Sequence, residues 1–89
     1  MNLQLDGRNM LTREDAHREI AACLSFPATY GKNLDALWDL LTEIEADVTL
    51  IHAEEMQCAL GDYGCKLLKT FSEAALENSR FRFEAIPHE

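Results

Sequence analysis

Three strand-like segments lie far apart in the chain, separated by stretches with helical periodicity. The first, "NLQL" from Asn2 to Leu5, alternates polar and apolar residues. The second, "DVTLIHA" from Asp47 to Ala53, is β-branched and apolar, the composition of a strand partly buried on both faces. The third, "RFRFEAI" from Arg80 to Ile86, alternates arginine with phenylalanine. Antiparallel neighbours can be joined by a tight turn, whereas connections this long suit parallel strands with helical crossovers. The expectation is an α/β fold, a small three-stranded parallel sheet packed with helices. At 89 residues the chain forms one domain, residues 1–89, with a small core.

The crossovers have readable boundaries. "DGRN" supplies turn residues after the first strand, and Thr12 can cap a helix whose first turn holds Glu14 and Asp15. Ala16, Ile20, Cys23 and Leu24 then fall on one face of a helix over about Arg13 to Leu24. Pro27 closes that segment. Gly31 permits a tight loop, and Asn33 can cap a second helix over about Leu34 to Thr42. The first crossover therefore carries two helices. Past the middle strand, "AEEMQCALGDYG" holds a short helix ending near Gly61. A longer helix starts at about Tyr63, buries Leu67, Leu68, Phe71, Ala74 and Ala75, and stops at Asn78.

Charge excludes several functions. Eight Lys and Arg against 16 Asp and Glu give a net charge of −8. No basic cluster is present, which argues against a nucleic-acid partner and against an anionic membrane surface. No apolar run approaches the ~20 residues needed to cross a bilayer. The N-terminus lacks the basic start and apolar run of a signal peptide. Cys23, Cys58 and Cys65 are odd in number and have no zinc spacing, so free thiols in a reducing, cytoplasmic setting are expected. They fall mainly on apolar positions and read as small core residues. Tyr63 also reads as core. The three histidines read as structural or idle, with His52 ending a strand. No metal or cofactor is expected.

One stretch does not fit a purely structural reading: "YGKNLDALWDLL", Tyr30 to Leu41. Leu34, Leu37 and Leu41 form an apolar stripe, while Asp35, Asp39 and Glu43 recur at i, i+4 and i+8 on the opposite edge. Trp38 lies at the border. Like charges one turn apart weaken an isolated helix by ~0.2–0.5 kcal/mol. The bland reading is a solvated helix face. Against it, the pair has no Lys or Arg at i±4 inside the helix, and it borders Trp38 and a loop with Tyr30, a setting common at binding surfaces. Catalysis by the pair is disfavoured, because so small a chain with one thin sheet leaves little room for a cleft. Glu73 and Glu77 repeat the spacing later, but Lys69 can pair with Glu73 there.

The same stretch carries a resemblance. "FPATYGKNLDALWDLLT" is similar to the signature block of the barstar family, the intracellular inhibitors of secreted ribonucleases of barnase type, and the similarity extends over the whole chain. It implies a three-stranded parallel sheet with helices and a non-enzymatic protein, acting in the cytoplasm as a monomer. The implied partner is a cationic extracellular ribonuclease whose basic cleft is plugged by the second helix and its preceding loop. Asp39 is then the central anion, standing in for an RNA phosphate among Arg and His side chains. Asp35 pairs with a further cation. Tyr30, Gly31, Asn33, Leu34, Trp38 and Thr42 supply surrounding contacts, and Glu73 matches the family's acidic residue on the late helix.

Three departures from the family pattern stand out. Thr29 replaces a tyrosine that packs on the ribonuclease. Glu43 and Ile44 replace a glycine and a tryptophan after the recognition helix. Leu40 and Ser79 occupy the family's two cysteine positions. Thr29 and Glu43 motivate an alternative: an immunity or regulatory protein for a different cationic toxin.

Overall fold

A computed structural model describes residues 2–88. Strand β1 (Asn2–Asp6) leads through a 3-10 turn (Gly7–Asn9) to α1 (Arg13–Leu24) and α2 (Leu34–Leu41). Then follow β2 (Ala46–Ile51), α3 (Ala53–Leu60), α4 (Asp62–Glu77) and β3 (Phe81–Ala85). The strands form one parallel sheet in the order β1-β2-β3, with Leu5 opposite Leu50 and Val48 opposite Phe83. This is the α/β architecture read from the sequence, with two helices in the first crossover.

The sheet is built on side-chain alternation. Leu5, Val48, Leu50 and Phe81 are buried on one face, where Leu37, Leu41, Leu67 and Phe71 from the helices join them. Phe71 stacks on Phe83, ring centroids 4.6 Å apart. The opposite face is polar. Asn2, Gln4, Arg82 and Glu84 stay exposed there, and Asp47, Thr49 and Ile51 are half-buried. Side chains of this kind explain how a parallel sheet, usually covered on both faces, leaves one face wet.

Several boundaries differ from the sequence reading. The middle strand stops at Ile51, because His52 adopts a left-handed conformation (φ 53°) and caps α3 instead of ending a strand. Gly7 explains this junction. A Cβ there would lie 2.0 Å from the His52 carbonyl oxygen, so only glycine lets the 3-10 turn approach β2's end. The last strand is one residue shorter at each end, and α4 starts at Asp62.

The cysteines also correct an expectation. Cys58 and Cys65 are exposed, and Cys23 is half-buried, its thiol donating to the Gln4 carbonyl at 3.4 Å. Small size let these positions pass as apolar in a periodicity pattern, but α3 and α4 turn two of them outward. Tyr63 is half-buried rather than core.

Asn78 does more than stop α4. It is 7% exposed, and its Nδ2 donates to the carbonyls of Leu41 (3.1 Å) and Ile44 (2.8 Å). Its Oδ1 accepts from the Arg80 amide at 3.0 Å. One side chain thus ties the C-terminal end of α2 to the turn between α4 and β3.

Candidate protein-binding surface

Helix α2 is fixed at both ends. At its start, the Asn33 Oδ1 accepts from the Ala36 amide at 2.7 Å, and the Asn33 Nδ2 donates to the Gly31 carbonyl at 3.3 Å. At its end, the Thr42 hydroxyl donates to the Trp38 carbonyl at 2.9 Å, beneath which Asn78 holds Leu41. The inner face is anchored by Leu37 and Leu41, both fully buried. What remains for solvent is the opposite edge: Asp35 and Asp39 are exposed, with Leu34, Trp38 and Thr42 half-buried beside them.

Asp35 and Asp39 take part in no ion pair among the described residues. At the start of α1, by contrast, Glu14 and Asp15 both hold Arg18, at 2.8 and 2.9 Å. The charge on α2 is therefore offered outward. Glu73 is also exposed, on α4, the helix against which α2 packs. The pairing of Glu73 with Lys69 considered from the sequence is not formed. Thr29 and Glu43, the departures that flank this surface in sequence, are exposed as well.

The loop before α2 is built from beneath. Tyr30 is only 7% exposed, so its ring is a support rather than an open surface group. Its hydroxyl meets the Nδ1 of His17 at 2.7 Å, and the Nε2 of His17 meets the Tyr63 hydroxyl at 2.6 Å. A neutral imidazole offers one donor and one acceptor, so one tyrosine donates to His17 and the other accepts from it. Burial holds the His17 pKa below its usual value, with the Lys32 ammonium adding to the effect. Burial likewise pushes the Tyr30 phenol well above its usual range, and Tyr63 adds to that. His17 is thus a satisfied structural histidine, as its sequence setting suggested, but one that supports the loop before α2.

The loop's strain falls on an unexpected residue. Lys32, not Gly31, takes the left-handed conformation (φ 55°). Gly31 leaves room beside the cap: a Cβ there would come within 3.2 Å of the capping Asn33 side chain and 3.3 Å of Ala36, so these would have to shift by a few tenths of an ångström. Periodicity gave no warning of His17, Lys32 or Asn78 as parts of this region. Their roles depend on contacts between segments distant in sequence. The one local signal was the cation Lys32 inside an otherwise acidic block.

Three parallel strands in one sheet, with two helices in the first crossover and two in the second, define the barstar-like class of small α/β proteins. The chain belongs to the family described as Barstar (barnase inhibitor), whose model matches residues 1–86. It is 38% identical over 76 residues to a protein of Bacillus subtilis (strain 168) named "Putative ribonuclease inhibitor YrdF", covering 82% of this chain and 84% of that one. No helix among the described residues is long and apolar enough to cross a membrane.

Proposed function

We propose that this protein inhibits a secreted microbial ribonuclease of barnase type by blocking its basic active-site cleft with α2 and the loop before it. The observation that carries this reading is the pair Asp35 and Asp39, exposed on one edge of a doubly anchored helix and held in no ion pair among the described residues. Family membership and the name of the Bacillus relative support it.

The physics is complementary charge. A ribonuclease cleft gathers Arg, Lys and His around the positions of RNA phosphates. Asp39 fills one such position and forms short, charge-assisted hydrogen bonds once water is expelled. Asp35 meets a second cation. Trp38, Leu34 and Asn33 cover the pair and exclude water, as the surround of a binding hot spot does. Gly31 and Thr42 bound the patch, Tyr30 holds its loop from below, and Glu73 extends the acidic field from α4. The net charge of −8 speeds encounter with a cationic enzyme. No reaction is catalysed. The protein acts in the cytoplasm as a monomer, one copy per ribonuclease, without a cofactor.

The exposure of Thr29 and Glu43 favours a second reading, in which the same surface serves as immunity or regulatory protein for a different cationic toxin. Titration calorimetry against barnase, with RNA-cleavage assays alongside, separates the two. One-to-one binding that abolishes cleavage and weakens with salt supports the first. Absence of binding, with the protein folded, moves the assignment to the second.

A further inference from the structure

The acidic edge of α2 has a cationic neighbour. Arg13, at the start of α1, and Lys32, in the loop before α2, line one groove with Asn33, Leu34, Asp35 and Tyr63. The groove encloses about 620 Å³. The Arg13 guanidinium lies 4.4 Å from the centre of the Tyr63 ring, which fixes it against the wall. Lys32 adopts a left-handed backbone conformation (φ 55°), uncommon for residues other than glycine. Neither cation pairs with a carboxylate among the described residues. Glu14, which also borders the groove, is drawn onto Arg18 at 2.8 Å. The charges left over are two cations and one anion, Asp35.

Two unpaired cations lining one groove beside the acidic helix of a chain with net charge −8 are not accounted for by solubility. A purely cationic partner would repel them. We propose that this groove receives a carboxylate side chain of the ribonuclease, set beside its cationic cleft, so that the recognition surface is acidic on α2 and basic on the α1 side. The inference rests on the inhibitor reading above. A carboxylate suits the groove better than a phosphate does, because it satisfies the planar Arg13 fork with a single charge, and Asp35 on the same wall repels a doubly charged group more strongly. The arrangement gives register: a cationic surface lacking the carboxylate leaves Arg13 and Lys32 facing like charge, which disfavours wrong partners.

Charge reversal separates this from a simple acid-to-base attraction. If only overall charge mattered, making the protein more acidic would tighten binding to a cationic enzyme. The groove requires the opposite. Calorimetry of Lys32→Glu and Arg13→Glu against barnase, with thermal melts to confirm folding, is expected to show each variant weakened by about tenfold or more, equivalent to ~1.4 kcal/mol. Arg13→Lys keeps the charge but not the planar fork, and is expected to bind more weakly than the parent and more tightly than Arg13→Glu. Reversals that leave binding unchanged or tighter, while Asp39→Ala weakens it, overturn the groove proposal and leave the inhibitor reading in place. Failure of the unaltered protein to bind barnase overturns both for this partner. Binding of inorganic phosphate to the free protein that is lost in Lys32→Glu also overturns it, since a phosphate would then be the occupant.

Discussion

The Nδ1 of His17 and the hydroxyl of Tyr30 lie 2.7 Å apart in the interior, and this bond joins α1 to the loop that presents Asp35 and Asp39. His17 is 1% exposed and Tyr30 7%, so no water replaces either partner. The loop that leads into the acidic helix is therefore tied to α1 by a buried polar link. Phe26, its ring centre 5.0 Å from that of Tyr30 and tilted by 57°, closes the same corner.

Removing the Tyr30 hydroxyl tests that link. Tyr30→Phe keeps the ring and leaves a buried imidazole nitrogen unpaired, at an expected cost of ~1–3 kcal/mol. Urea denaturation reads the change as a lower midpoint with an unchanged slope. An unaltered midpoint would mean that the hydroxyl contributes nothing to folding.

The same network makes stability pH-dependent at both ends. His17 has a pKa below the 6.5 of a free imidazole, so the unfolded chain binds more protons than the folded one as pH falls through that value. Stability is expected to be intact above pH 6.5 and to decline below it, until the folded His17 itself protonates. Tyr30 has the opposite sign. Its phenol is raised from 10.0, so the unfolded tyrosine ionises first and stability declines as pH rises past that value. Urea midpoints collected across pH give both limbs. In His17→Gln the decline that starts near pH 6.5 should be reduced, and its persistence would assign that limb to other groups.

The sequence exposed the strands, the two-helix crossover and the Asn33 cap because each rests on local pattern or local hydrogen bonding. It also exposed the acid pair, since periodicity alone places Asp35 and Asp39 on one edge. It hid what depends on contact across the chain. Nothing in the spacing of His17, Tyr30 and Tyr63 announces a shared hydrogen-bond network. The outward turn of Cys58 and Cys65 follows from how α3 and α4 settle on each other, and a residue as small as cysteine fits either side of a helix. Glycine at position 31 read as permitting a tight loop, and the structure places the left-handed conformation of that loop on the next residue, Lys32, where the sequence gives no sign of it.

Asp39→Ala separates binding from folding. Both acids on α2 are exposed, and like charges at that spacing cost ~0.2–0.5 kcal/mol, so the variant should be as stable as the parent or slightly more so. On the inhibitor proposal, inhibition of ribonuclease activity should fall steeply, because the cation proposed to meet Asp39 would be left buried and unpaired in the complex, a loss of ~2–5 kcal/mol. Paired thermal melts and RNA-cleavage titrations check the two halves. A collapse in melting temperature would make Asp39 a structural residue and remove it from the surface argument.

Asn78→Ala is expected to do the reverse, damaging the fold from a position outside the acidic patch. The substitution strips the carbonyls of Leu41 and Ile44 of their shared donor and leaves the Arg80 amide without its acceptor. These groups are buried or half-buried, so the expected loss is ~1–3 kcal/mol. The C-terminal turn of α2 should loosen first, since Asn78 is the side chain that ties it to the α4–β3 turn. Hydrogen exchange at the amides of Leu41 and Thr42 should speed up more than exchange at the central strand β2, which keeps both of its neighbours. Equal acceleration everywhere would show global destabilisation only. A selective effect at the end of α2 would establish Asn78 as the residue that keeps that helix in place.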